Sequence, residues 1–117
     1  MQRMVQASNG RSSQLLRGVL DVCLLALIAE KERYGYEIVR QLEARGLELV
    51  GEGSIYPLLS RLQRSGLIEG FLRPSNEGPA RKYYRITTEG RRAVRAWTAE
   101  WKSFAGNVDR VLKGERQ

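Results

Sequence analysis

The sequence predicts a mainly α-helical domain that carries one small β-hairpin and ends in a single long helix. Three observations predict it. Apolar residues recur at helical spacing through most of the chain. Two-residue alternation appears around residues 67–87, broken by the turn-forming run PSNEGP. A heptad-like apolar stripe then fills the end of the chain. At 117 residues and 42% hydrophobic content the chain supports one domain with one core.

Residues 1–12 are small and polar, which predicts an N-terminal arm. A first helix is expected from Ser12 or Ser13 to about Lys31. Its apolar positions, from Leu15 and Leu16 through Leu27 and Ile28, cover most of the circumference. A helix that is apolar nearly all round is buried on more than one side. A second, short helix follows in YGYEIVRQLEARG, where Gly35, Ile38, Val39 and Leu42 share a face and Gly46 is a natural stop.

The third helix lies in GSIYPLLSRLQRSG. Ile55, Leu58, Leu59 and Leu62 form its apolar stripe, and Gly66 suits its C-terminal end. Pro57 has no N–H to donate, which predicts that it falls in the first turn, with Ser54 as the N-cap. The face opposite the stripe presents Gly53, Pro57, Ser60, Arg61 and Arg64: small near the start, basic towards the end. Two β-rich runs, LIEGFLR and ARKYYRIT, then predict a hairpin with a flexible tip. Tyr84 and Ile86 are expected on one side, Tyr83 and Arg85 on the other.

Thr87 or Thr88 caps the last helix, expected to reach about Leu112. Val94, Trp97, Trp101, Phe104, Val108 and Val111 form its stripe. With Leu16 and Leu20 of the first helix, this stripe is the expected interface of a twofold homodimer, because so small a domain has little apolar surface to cover both long helices. The expected organisation is an arm at 1–12, a helix-and-hairpin domain at 13–88, a dimerisation helix at 89–113 and a tail at 114–117.

The totals narrow the function classes. A formal charge of +7 favours a polyanionic partner. With no histidine and one cysteine, neither a zinc site nor a Ser/His or Cys/His nucleophile can be assembled, and no cofactor is expected. GEG at Gly51–Gly53 lacks the spacing and lysine of a phosphate-binding loop. The lone thiol, Cys23, reads as a small core residue and fits a reducing compartment. The longest apolar run, Val22 to Ala29, falls well short of the ~20 residues that span a bilayer. A non-enzymatic, cytoplasmic protein is expected.

Three helices followed by a two-stranded wing form the winged helix-turn-helix order, in which the third helix faces the DNA major groove. YGYEI (Tyr34 to Ile38), GSIYPLLSRLQRSGLI (Gly53 to Ile68) and RKYYRITTEG (Arg81 to Gly90), in this order, resemble the PadR family of transcriptional regulators, in its shorter branch that dimerises through one C-terminal helix. The resemblance implies that Ser54 and Tyr56 lie at the DNA. Pro57, Arg61 and Arg64 of the outward face would follow them, Arg81 and Lys82 would contact it from the wing, and Tyr34, Gly35 and Tyr36 would steady a phosphate. It also implies a pseudo-palindromic operator and a planar aromatic effector near the dimer interface, stacked on Trp101 with Trp97 one turn earlier. Asp21, a lone carboxylate in an apolar helix, would favour a cationic guest. The expected function is a sequence-specific regulator, a repressor released by its effector. The alternative is a winged-helix module whose basic face binds an acidic protein, and a membrane-surface role for the last helix is disfavoured by its acidic residues.

Overall fold

The computed structural model describes residue 11 and residues 14–47 and 52–114. Most of the expected arm, Ser12, Ser13 and the last three residues lie outside them. The chain forms α1 (Leu20–Glu30), β1 (Arg33–Tyr34), α2 (Gly35–Ala44), α3 (Glu52–Arg64), β2 (Ile68–Ser75), β3 (Gly78–Ile86) and α4 (Thr88–Leu112). The expected first helix is not continuous. Residues 14–17 are helical, but the chain turns at Gly18 and Val19, whose N–H groups donate to Leu15 and Leu16 in tight i to i+3 bonds. Only from Leu20 does the α-helix proper begin.

The core lies where these helices meet the sheet. Leu24, Leu25 and Ile28 of α1, Ile38 of α2, Ile55 and Leu59 of α3 and Ile68 of β2 are almost completely enclosed. Each such side chain contributes roughly 1.5–3 kcal/mol relative to exposure. Cys23 packs at the edge of this cluster, and burial, followed by the neighbouring Asp21, pushes its thiol pKa up. It stays protonated and unreactive at neutral pH.

The ends of α2 and α3 are built alike. Gly46 and Gly66 adopt positive φ, 97° and 79°, which costs an L side chain but not glycine. At α3, Gly66 N–H donates to Gln63 and Leu67 N–H donates to Leu62, the paired bonds of a Schellman turn. The start of α3 differs from expectation. The helix begins at Glu52, so Ser54 is a helical residue rather than its cap, and Pro57 is the sixth residue rather than part of the first turn. The residue four positions earlier is Gly53, and the only hydrogen bond lost is the one to its carbonyl.

The wing is longer and tighter than the sequence implies. Ser75 pairs with Gly78, so only Asn76 and Glu77 form the turn, and the prolines are inside the strands. Pro74 sits at a register irregularity between Arg73 and Ser75, where the ladder does not require an N–H. A third strand, β1, pairs with β3 and makes the order β1-β3-β2. Tyr34 therefore ends β1 and precedes α2 instead of beginning it. Buried Arg33 ties this strand to α1: its Nε donates to the Leu27 carbonyl at 2.9 Å and its guanidinium pairs with Glu30 at 2.7 Å. Leu27 O is one of the carbonyls that the end of α1 leaves without a helical partner.

Candidate nucleic-acid interface

Helix α3 carries its apolar stripe inward and its other face outward. Ile55, Leu59 and Leu62 are sealed in the core, while Gly53, Ser54, Pro57, Ser60, Arg61 and Arg64 are exposed. Among the described residues no ion pair engages Arg61 or Arg64. The face is thus narrow and uncharged at its start, with cationic side chains extending from its second half.

Tyr56 links this helix to α2. Its ring lies directly over Gly35, where an added Cβ would stand 2.6 Å from the Tyr56 hydroxyl. The bare glycine lets the ring lie that close, and a side chain there would push the ring aside, while Tyr56 itself remains 43% exposed. The start of α2 is fixed by Glu37, whose carboxylate accepts the Tyr34 N–H at 3.1 Å. Tyr36 is exposed beside it, and Arg40 donates to its hydroxyl at 3.1 Å.

Register splits the two wing residues. Lys82 lies on the core-facing side with Tyr84, its ammonium 5.5 Å from that ring, and close to Gly70. Burial, and secondarily Tyr56, raises the Tyr84 hydroxyl above the ordinary tyrosine range. Arg81 lies on the opposite side, over the Tyr34 ring, and donates to the Tyr34 hydroxyl at 2.9 Å. That side continues as a ladder of rings and cations which the sequence alone did not reveal. Tyr83 stands between Tyr34 and Phe71, Arg73 covers Tyr83 at 4.1 Å, and Arg85 covers Phe71 at 3.9 Å. Glu32, just before β1, accepts from Arg73 and faces Arg85. Tyr84 is buried in the core, and Tyr83 packs between the Tyr34 and Phe71 rings. The signal that would have exposed the ladder is the pairing register, since its members come from three separate segments.

A second site lies away from α3. Asp21, Trp97 and Trp101 line one groove of about 530 Å³ between α1, the turn before it and α4, joined by Leu15, Glu100 and Phe104. Asp21 accepts the Val22 N–H at 2.7 Å. The stripe of α4 is open both within the groove and past it: Trp101 is 45% exposed, Phe104 62% and Val111 76%. Val94 and Trp97 pack against the protomer's own core. Leu16 and Leu20 do so too, being buried within it, and the exposed leucine of that segment is Leu15. No described helix is long and apolar enough to cross a membrane, and no described cluster of acidic or thiol side chains has the composition of a metal site.

Comparison with known proteins agrees with this architecture. Residues 24–96 match the Transcriptional regulator PadR-like family. An uncharacterized protein of Lysinibacillus sphaericus is 35% identical over 104 residues, 87% of this chain and 95% of that one. A transcriptional regulator of Mycobacterium tuberculosis is 33% identical over 99 residues, 85% and 88% of the two chains. Among solved structures, a PadR-like transcriptional regulator of Bacillus cereus is 45% identical with a TM-score of 0.78, covering 87% of this chain and 99% of its own. A PadR family regulator of Eggerthella lenta is 28% identical with a TM-score of 0.83, covering 96% and 97%.

Proposed function

This chain belongs to the PadR-like family of transcriptional regulators, and from that premise we propose that it is a homodimeric repressor, bound to a pseudo-palindromic DNA site and released by a small planar aromatic effector. The observation that carries the DNA-binding reading is the outward face of α3, small where backbone must approach closely and cationic beyond. Exposed Ser54 and Pro57 let the helix sit low in the major groove, and Tyr56 flanks them. Arg61 and Arg64 then reach base edges or phosphates. Tyr34 and Tyr36, on either side of the start of α2, face the neighbouring backbone, whereas Gly35 between them is buried beneath the Tyr56 ring and supports that contact from behind. Arg81 and Lys82 extend the contact from the two faces of the wing.

The open stripe of α4, with Leu15, supports the homodimer. Exposed Trp101, Phe104, Val108 and Val111 in one row are more apolar surface than a monomer leaves in water. A twofold axis through this stripe sets two α3 helices one DNA turn apart, roughly 34 Å. An aromatic guest in the groove would stack on Trp97 and Trp101, and Asp21 with Glu100 would favour a cationic one. Binding there would change the angle between the two DNA-reading heads, so that half-site spacing no longer fits.

The test is selection of a duplex from a randomised pool, followed by tryptophan fluorescence titration with planar aromatic cations on the protein–DNA complex. The expected result is a palindromic duplex preferred over random sequence, and saturable quenching that coincides with its release. Weak duplex binding with no preferred sequence would instead point to an acidic protein as the partner. Quenching without release would remove the effector from the mechanism.

A further inference from the structure

We infer that Thr87 and Gly90 form a joint that sets the angle between the DNA-reading helix and the dimer helix, and that Thr87 is a positioning residue for recognition of half-site spacing. The inference rests on the twofold reading above. Thr87 serves two helices at once. Its hydroxyl accepts the Gly90 N–H at 2.9 Å, capping α4. The same hydroxyl's single proton is directed at the end of α3, 2.7 Å from the Gly66 carbonyl and 3.0 Å from the Leu67 carbonyl. Thr87 N–H donates to Leu67 O as well, at 3.1 Å.

These carbonyls lie just past the Schellman turn of α3, whose two bonds run from the Gly66 and Leu67 amides to the Gln63 and Leu62 carbonyls and leave the Gly66 and Leu67 carbonyls free to accept from elsewhere. A loop could satisfy them with water. Here the first turn of α4 satisfies them, and it approaches so closely that a Cβ on Gly90 would stand 2.1 Å from Leu67 O. The contact is backbone against backbone, with no flexible side chain to absorb a tilt. A rotation of α4 driven at the dimer interface or the aromatic groove is therefore passed to α3 rather than dissipated. Neither residue is on the outward face of α3 or in the groove, so the joint acts through geometry alone.

The experiment measures affinity for a series of duplexes in which the two half-sites chosen by the wild-type protein are spaced from two base pairs too close to two too far. Wild-type protein, Thr87→Val and Thr87→Ser are compared, with melting temperatures recorded separately. Thr87→Val keeps the shape and removes the hydroxyl, and is expected to flatten the spacing preference by about fivefold or more, or to move its optimum. Thr87→Ser is expected to restore it. Affinity for a single half-site should change little, which separates the joint from a general loss of fold. If Thr87→Val keeps the wild-type ratios across all spacings, the joint is overturned and the twofold reading stands. If the wild-type protein itself ignores spacing, the twofold reading fails and the joint falls with it.

Discussion

Replacing Gly90 by alanine tests the tightest approach made at any described glycine. The new methyl would lie 2.1 Å from the Leu67 carbonyl oxygen and 2.7 Å from Ile86 Cγ1. A relaxed carbon–oxygen contact is about 3.3 Å, so the two backbones must separate by about 1.2 Å. Alanine's helix preference over glycine returns at most about 1 kcal/mol. Against it stand an overpacking cost of about 1–3 kcal/mol and the loss or stretching of the Thr87 cap, about another 1 kcal/mol. The net expectation is destabilisation by about 2 kcal/mol, or a melting temperature lowered by roughly 6–12 °C for a domain of this size. Thermal unfolding by circular dichroism at fixed protein concentration reads it, with Gly53→Ala as control, because a methyl there meets nothing within 4 Å. A Gly90→Ala melting temperature equal to or above wild type would refute the close-approach reasoning and weaken the joint with it.

Arg61→Ala should weaken binding to the selected duplex by about 1–3 kcal/mol while leaving random-duplex binding nearly unchanged, measured by fluorescence anisotropy. Lys82→Ala should weaken both about equally and reduce the salt slope by roughly 1; identical effects of the two substitutions would overturn these roles. Glu32→Gln removes the carboxylate that pairs with Arg73 and Arg85, though Arg85 keeps Glu69, and faster amide exchange in β2 and β3 with little change in melting temperature is expected, since these pairs are substantially exposed. Glu30 is held below the ordinary carboxylate range chiefly by the Arg45 guanidinium that donates to it, with Arg33 adding. Its folded pKa is depressed, so its stabilisation is present above the unfolded value of about 4.3 and is lost as pH falls through the lower folded value. The melting-temperature gap between wild type and Glu30→Gln should therefore be constant near neutral pH and narrow as pH falls below the unfolded value of about 4.3, and a gap that widens on acidification would contradict the assignment.

What the sequence makes legible here is whatever depends on period and on local turn chemistry. The stripes of α2 and α3, the glycine ends at Gly46 and Gly66, the Thr87 cap and the reach of α4 to Leu112 all follow from residues close to one another in the chain. What it hides depends on pairing. Strand β1 is two residues long and has no period of its own; it exists because Tyr84 and Tyr83 offer a free edge to Arg33 and Tyr34. Pro74 and Pro79 disguise the strand ends because proline usually argues against a ladder, yet both occupy positions where their missing N–H does no harm. The same holds at the candidate site. The outward residues of α3 are legible from helical angle, whereas the separation of Arg81 and Lys82 onto opposite wing faces appears only with the register. Leu15 rather than Leu16 faces outward because Gly18 and Val19 break the helix and rotate the turn before it.

The scarcity of long side chains on α3 explains why its orientation matters so much. Among the described residues Arg61 and Arg64 are the cationic side chains of the outward face; Ser54 and Ser60 are short, and Pro57 offers no donor. A well-placed arginine fork on guanine discriminates by about 1–3 kcal/mol, so one head reading one or two bases reaches only the lower part of the 4–10 kcal/mol that separates specific from non-specific binding. Twofold pairing doubles the direct reading, and groove shape can supply more, but both gains require that the heads meet the duplex at fixed separation and tilt. A surface this sparse in base-reading groups is effective only on a rigid mount. The Thr87 hydroxyl between two helix ends, Gly90 against the Leu67 carbonyl and Tyr56 over Gly35 supply that mount at three points around α3. On this argument, substitutions behind the recognition helix will cost as much specificity as substitutions on its face.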